Sequence, residues 1–301
     1  MALRAIYDAP APAKVNLFLH VVGRRPDGYH LLQSVFVLVD WCDMLHFERR
    51  DDGLLRRHDL GPALPADDLS LRAARALQQA SATPLGVDLS VYKSVPWGAG
   101  LGGGSSDAAT TLLALNRLWS LNWTREQLQG IAVRLGADVP FFVGGQNAFV
   151  EGIGERLTPL ALPRQWLALV KPPAAISTAE IFGSPVLVRD TDAVILIDFL
   201  ADAQLMQGSD AGTVQGIAPG FGRNDLQRPA EDRCPEVTQV AAWLKARFGN
   251  SRMSGSGSAV FARAGAGDQP VATWQAGELP PSWVGRMCRS LDRHPLAGWA
   301  G

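Results

Sequence analysis

Cysteine is scarce in this chain: Cys42, Cys234 and Cys288 are the only three in 301 residues. They are odd in number and far apart, with no Cys-x-x-Cys pair and no histidine at metal-ligand spacing, which argues against a disulfide framework or a zinc site. Such usage fits a reducing compartment. A surplus of charge is also lacking, since 28 Lys+Arg face 29 Asp+Glu and the formal net charge is -1. No global field therefore draws the protein to nucleic acid or to an acidic membrane, and any phosphate has to be bound locally. The pairs Arg24-Arg25, Arg49-Arg50 and Arg56-Arg57 read as solvated faces. No apolar run approaches the ~18 residues of a membrane span, and no basic head with an apolar run and cleavage site opens the chain. The expectation is a cytoplasmic protein without a transit peptide. No repeat of fixed period is visible either.

What remains is an ordinary globular composition, 47% hydrophobic and 19% charged, with a mean hydropathy of +0.03. The length exceeds what one apolar core usually fills, so two lobes are expected, with a soft boundary near residue 160. From Lys14 to Val22 the residues alternate, placing Val15, Leu17, Leu19 and Val21 on one side and Lys14, Asn16, Phe18 and His20 on the other. A turn at Arg25-Pro26-Asp27-Gly28 separates this strand from a second over Ser34 to Val39. A helix is predicted from Asp68 to Ala80, then a strand at Val87, Leu89 and Val91. The next helix carries Ala108, Leu112, Leu115 and Trp119 on one face and ends near Asn122. Thr124 and Gln127 form a capping box for a further helix that stops at Gly136. Asp138 follows in a turn held by Pro140. Strands at Gln146 to Val150, Trp166 to Val170 and Ala259 to Ala262, and a helix over Pro235 to Phe248, complete the reading, and residues 190–220 are weakly patterned.

Five of the seven residues from Gly98 to Gly104 are glycine, between a strand and a helix with a clear apolar face. Backbone of this kind approaches a ligand closely, and the free N–H groups and positive end of a helix suit phosphate, with Ser105 and Ser106 adding hydroxyls. A flexible linker is the rival reading, but linkers are not usually clamped in this way. The loop is not a G-x-x-x-x-G-K-[ST] phosphate loop, because no lysine follows the glycines, and repeated βαβ units of a dinucleotide fold are missing. A second glycine turn, Ser254-Gly255-Ser256-Gly257-Ser258, reads as a hairpin turn or as a second wall of the same site.

Three motifs in order, Pro10 to Leu19, Pro96 to Asp107 and Arg252 to Phe261, resemble the GHMP kinase family. Within it, Pro12-Ala13-Lys14-Val15-Asn16-Leu17, Arg25-Pro26-Asp27-Gly28-Tyr29-His30, Gly136-Ala137-Asp138-Val139-Pro140-Phe141-Phe142 and Ser177-Thr178-Ala179-Glu180-Ile181-Phe182 are similar to the members that phosphorylate a cytidine-diphosphate ester of methylerythritol. The resemblance implies an α+β fold of two lobes. Residues 1–160 would form a ribosomal-protein-S5-like lobe for ATP, and residues 161–301 a ferredoxin-like substrate lobe whose last strands can return to the first.

The resemblance also implies roles. Pro96, Trp97, Gly98, Ala99, Gly100, Leu101, Gly102, Gly103, Gly104, Ser105 and Ser106 would hold ATP. Asp138 would take the proton of the acceptor's C2 hydroxyl, and Lys14 would neighbour it, favour its ionised form and stabilise charge developing in transfer. Read alone, Asp138 is a helix-end cap and Lys14 an edge-strand guard. Asn16 and Thr178 would contact the acceptor, Tyr29 and Phe182 would stack on the two faces of cytosine, and His30 would bond its edge. Mg²⁺ is expected as the nucleotide's companion with no ligand set assigned, Ser106, Asp107 and Asp138 being candidates. The expected partner is this small cytidylyl alcohol, with no nucleic acid or membrane, and the assembly a monomer or homodimer. Two features depart from the family pattern: Asp67-Asp68-Leu69 lacks an asparagine before the leucine, and residues 265–301 match little. Rival readings are a kinase of homoserine, mevalonate or a sugar, and a non-catalytic nucleotide-binding protein.

Overall fold

The computed structural model describes residues 3–201 and 220–300, so most of the weakly patterned stretch at 190–220 lies outside the described residues. Two long strands, β1 (Ala5–Arg24) and β2 (His30–Arg50), pair antiparallel along most of their length. Their connection is a tight turn in which Gly28, at φ 93°, donates to Arg25 O at 3.0 Å, and Arg25 N donates to Tyr29 O at 2.7 Å. β2 bonds with its C-terminal half to β4 (Gly86–Tyr92) and with its N-terminal half to β5 (Ala148–Gly152). β3 (Leu55–Asp59) joins β4 in parallel and β6 (Arg156–Pro159) joins β5, completing a six-stranded sheet.

Local chemistry places the helices of this lobe. α1 (Leu69–Ser81) starts where the Asp68 carboxylate accepts from the N–H groups of Ser70 and Leu71. α2 (Gly103–Leu118) lies buried for most of its length. It ends four residues before Asn122, because Ser120 and Asn122 both turn to φ 55°. α3 (Arg125–Leu135) opens with the Thr124–Gln127 capping box, both bonds being present. At its end Gly136 is extended rather than left-handed. α4 (Val139–Gly144) follows after one turn. These helices bury Leu77, Leu112, Leu115, Ile131 and Phe141 against Leu45, Phe47 and Leu89 of the sheet in one apolar cluster.

A four-stranded antiparallel sheet in the order β10-β7-β9-β8 forms the second lobe, from β7 (Trp166–Lys171), β8 (Arg252–Met253), β9 (Val260–Arg263) and β10 (Val284–Arg289). α5 (Thr178–Phe182), α6 (Gln227–Arg233) and α7 (Pro235–Phe248) belong to this lobe, and α7 packs Val237, Leu244 and Phe248 on the sheet. Between the sheets a middle cluster joins Val15 and Phe18 of β1 to Leu167, Leu169 and Phe261. The alternation expected for Lys14 to Val22 is broken there by a register shift between Asn16 and Leu19. Phe18 consequently packs with Val15 and Leu17, while Leu19 and Val21 enter the core of the second lobe.

Not every arginine pair is a solvated face. The Arg57 side chain is 9% exposed and bonds Asp59 and Asp68, so it fastens β3 to the cap of α1. Cys42, Cys234 and Cys288 are free thiols, and no helix among the described residues is long and apolar enough to cross a membrane.

After β10 the chain returns to the first lobe. His294 N donates to Gly145 O at 2.9 Å, Arg125 donates to Ala300 O at 3.0 Å, and Leu296 N donates to His294 Nδ1 at 3.0 Å. The His294 ring is buried, and burial, aided by the Arg125 charge, brings its pKa down from 6.5 to about 3. The unfolded chain therefore binds the extra proton between those values, and stability should fall as pH drops from 6.5 towards 3, by up to ~1.4 kcal/mol per pH unit for this group. Denaturant melts between pH 6.5 and 5 should show a shallower slope for His294→Gln than for the parent chain. Equal slopes would mean that His294 does not titrate with folding.

Candidate active site

Between β4 and α2 the backbone arches over the first turn of the helix. Gly98, Gly100 and Gly102 take φ of 61°, 72° and 70°, conformations that side-chain-bearing residues rarely adopt. Residues Pro96 to Ser105, with Leu69 and Lys93, line a cleft of about 240 Å³. Trp97 stands at its rim, 73% exposed. Ser105 faces the cleft, whereas Ser106 is buried on the first turn and its Oγ has no hydrogen-bond partner among the described residues. Unpaired N–H groups at the start of a 16-residue helix give this cleft the character of an anion site.

The second glycine turn lies against the first. Ser254 Oγ donates to Gly100 O at 3.0 Å and accepts from Asn16 N at 3.2 Å, while Ala259 N donates to Ala99 O at 3.1 Å. A Cβ on Gly100 would stand 2.2 Å from Ser254 O, so only glycine permits this approach. The segment is the β8–β9 hairpin turn, and it backs the glycine arch.

Lys14 and Asn16 lie beside the arch, brought together by β1. Lys14 N donates to Leu101 O at 2.9 Å, which fixes the loop to the strand. Its buried Nζ donates to Asn16 Oδ1 at 2.7 Å, lies 4.4 Å from the centroid of the Phe36 ring, and stands 3.4 Å from Asp138 Oδ2. Asn16 is held from its other end, Nδ2 donating to Ser34 Oγ at 2.9 Å. Asp138 occupies the position before α4, yet its side chain makes no capping bond and is 29% exposed. Its carboxylate is therefore committed to Lys14 and to whatever enters from solvent, rather than to the helix end.

Two charges under the loop, Lys93 and Asp43, escaped the sequence reading, and Asp107 was read only as a candidate for Mg²⁺. Lys93 Nζ bonds Asp107 Oδ2 at 2.5 Å and also Asp43, whose other oxygen accepts from Ser94 N and Val95 N at 2.6 and 2.7 Å. Burial pushes the Asp107 carboxyl well above the carboxylate range, with Lys93 opposing and Asp43 adding to the rise. Burial also works against the charge on Lys93, but Asp107 and Asp43 outweigh it and raise its pKa. The cluster ties β2, the end of β4 and α2 together at the entry to the glycine arch.

The other predicted residues come from α5 and from the turn and strand that begin β2. Thr178 Oγ1 bonds Ser256 Oγ at 2.7 Å, joining α5 to the second glycine turn. His30, at the start of β2, and Phe182, at the end of α5, stack with centroids 4.9 Å apart and planes at 26°. Tyr29 is 60% exposed and has no ring contact among the described residues, so the structure brings Phe182 to His30 and leaves Tyr29 apart. Arg189, unnoticed in the sequence, bonds both His30 and the Phe182 carbonyl.

Comparison with known proteins supplies the family. Residues 68–146 match the GHMP kinases N terminal domain and residues 202–272 the GHMP kinases C terminal. The chain is 64% identical over 302 residues, covering 100% of both chains, to the 4-diphosphocytidyl-2-C-methyl-D-erythritol kinase of Methylibium petroleiphilum. It is 52% identical to that of Polaromonas naphthalenivorans, over 99% of this chain and 97% of the relative. A crystal structure of 4-(cytidine 5'-diphospho)-2C-methyl-D-erythritol kinase superposes with a TM-score of 0.72 at 38% identity, covering 85% of this chain and 89% of the other. Mevalonate kinase of L. major, at 16% identity and a TM-score of 0.66 over 97% of this chain and 98% of the other, shares the fold.

The buried charge cluster gives a direct test. Lys93→Met leaves two buried carboxylates without their cation and should lower stability by roughly 3–5 kcal/mol at pH 8. An acid whose folded pKa is raised loses stability as pH rises, so the deficit should shrink towards pH 5. Chemical denaturation at the two pH values checks this, and a deficit independent of pH would show that the lost packing of the lysine stem is the cause.

Proposed function

The chain belongs to the GHMP kinase family, among its 4-diphosphocytidyl-2-C-methyl-D-erythritol kinases, and on that premise we propose how its own residues carry the transfer. The reaction is phosphorylation by ATP of the C2 hydroxyl of 4-diphosphocytidyl-2-C-methyl-D-erythritol, giving the 2-phosphate and ADP. It serves isoprenoid precursor synthesis outside the mevalonate route. One observation carries the assignment of the reacting centre. The pair of Lys14 Nζ and Asp138 Oδ2, 3.4 Å apart, stands next to the glycine arch, where a Cβ on Gly102 would come within 3.2 Å of Lys14 Cγ.

The triphosphate lies in the cleft under residues 96–106, its oxygens receiving the N–H groups of the arch and the first turn of α2, with Ser105 as a hydroxyl donor. The acceptor's hydroxyl is placed at Asp138. As the oxygen–phosphorus bond forms and the bond to the β-phosphate oxygen breaks, the hydroxyl proton passes to the Asp138 carboxylate. Lys14 faces the charge spread over the transferring group, and Asn16, gripped by Ser34, keeps the ammonium on that side. Positioning and electrostatics supply nearly all of the catalysis in such a transfer, so a rigid, preset pair is what the chemistry requires.

Mg²⁺ would be held mainly by the phosphates, since it needs only one or two protein oxygens. The unpartnered buried Ser106 Oγ and the partly exposed Asp138 fit that demand. Asp107 fits less well, because burial favours its protonated form and its Oδ2 is tied to Lys93. The ion would neutralise charge on the β- and γ-phosphates. The lobe of the first sheet takes the nucleotide, while Thr178, Phe182, Tyr29 and His30 take the cytidylyl end of the acceptor, with Tyr29 moving onto the base that Phe182 covers from the other side.

The reading is tested by ADP release with Mg-ATP, offering the cytidylyl acceptor alongside homoserine, mevalonate and galactose, with the product identified by phosphorus NMR. Turnover of the cytidylyl alcohol is expected, and turnover of another alcohol instead would discard the pyrimidine pocket. Asp138→Asn should lower kcat by ~10²–10⁴-fold with ATP affinity retained. Undiminished turnover by that variant would remove Asp138 from the role of base. Phe182→Ala should weaken acceptor binding by roughly 1–3 kcal/mol, seen in KM, if its ring stacks on the base.

A further inference from the structure

A single guanidinium organises the acceptor side of the site. Arg189 donates from Nε to His30 Nε2 at 3.1 Å and from Nη1 to Leu187 O at 3.0 Å. Its Nη2 donates to Phe182 O at 3.0 Å and to Ser184 O at 2.9 Å. Arginine offers donors only and keeps its charge. His30 Nε2 therefore has to present its lone pair, and a neutral imidazole with that nitrogen bare carries its proton on Nδ1. Burial and the charges of Arg189 and Arg24 favour the neutral ring as well, holding its pKa below the ordinary value. No other hydrogen bond to the His30 ring is made by the described residues, so Nδ1–H is the group left to address a ligand. The ring that stacks beside it, Phe182, is anchored through its carbonyl by the same guanidinium.

We propose that Arg189 is a positioning and specificity-determining residue, which fixes His30 as its Nδ1–H tautomer and so makes the pocket select cytosine over uracil. The proposal rests on the assignment of His30 to the base edge made above. Cytosine presents an acceptor at N3, which a fixed N–H can satisfy, whereas the O2 acceptor is common to both pyrimidines and does not distinguish them. Uracil carries a hydrogen on N3, and there the same donor would meet another donor. A site built for one pattern rejects the other because polar groups are left unpaired in a desolvated pocket.

The test combines nitrogen-15 NMR of the imidazoles with kcat/KM for the cytidylyl acceptor and its uridylyl counterpart. The chain has five histidines, so the His30 signals are assigned by their loss in His30→Asn. The parent protein should show an unprotonated Nε2 at His30 and prefer the cytidylyl acceptor by about 100-fold or more. Arg189→Met should release the tautomer and cut that preference at least ~10-fold, falling on KM for the acceptor more than on kcat, with KM for ATP little changed. His30→Asn, whose amide can turn either N–H or oxygen to the base, should accept both pyrimidines, and this arm stands even if Arg189→Met fails to fold. A proton on Nε2 in the parent protein, or an unaltered preference in folded variants, overturns the proposal. A parent enzyme that ignores the cytidylyl acceptor and phosphorylates a different alcohol overturns the functional reading itself, whatever the tautomer.

Discussion

The backbone contact between the two glycine turns is the constraint on which the site depends. Gly100 and Ser254 approach so closely that no Cβ fits between them, and Ser254 Oγ bridges the Gly100 carbonyl to the N–H of Asn16. One hydroxyl thereby brings a loop of the first lobe, a turn of the second and strand β1 into register. The positive φ of Gly98, Gly100 and Gly102 is strain-free only for glycine, and it turns the loop's polar groups towards a ligand instead of towards each other. The glycine content is therefore a demand of lobe contact as much as of phosphate binding.

Buried polarity around this contact is arranged so that few groups stand alone. Asn16 links Lys14 to Ser34, and Ser34 Oγ in turn bonds Phe18 O at 2.5 Å. Lys93 is shared between Asp43 and Asp107. Partly satisfied networks in low dielectric are costly, and among the described residues Ser106 Oγ and Asp107 Oδ1, at the start of α2, are two of the buried groups that find no partner. The Asp107 oxygen belongs to a carboxyl whose protonated form burial favours, whereas the buried His294 in the tail has both ring nitrogens engaged and serves the fold.

What could be read from sequence divides along physical lines. The Thr124–Gln127 box, the helix expected over Asp68 to Ala80 and the β4–glycine–α2 order depend on contacts a few residues apart, and all three are present. Lys14 and Asn16 were legible as neighbours because strand periodicity spans two residues. The bulge after Asn16 was not, since it exists to let β1 pass from one apolar cluster to another, which is a tertiary demand. Lys93, Asp43 and Asp107 are 50 and 14 residues apart along the chain, and no local rule pairs them. Arg189 lies 159 residues from His30 and was invisible for the same reason. The return of the C-terminal tail to Gly145 and Arg125 rests on backbone carbonyls, which carry no side-chain signature at all.

β1 explains why Lys14 and Asn16 are buried while Tyr29 is exposed. Ala11 of this strand packs in the first cluster, Val15 and Phe18 in the middle one, and Leu19 and Val21 in the third. Lys14 and Asn16 therefore cannot move without disturbing close-packed surroundings, and preset geometry is what an electrostatic transfer demands. Tyr29, by contrast, lies in an exposed turn, and Phe182 ends a five-residue helix. Short elements of this kind have little core to hold them, so their placement falls to side-chain ties. The fan of four donors from Arg189 and the hydroxyl contact of Thr178 with Ser256 are such ties, and the second joins α5 to the glycine turn that lies against the arch.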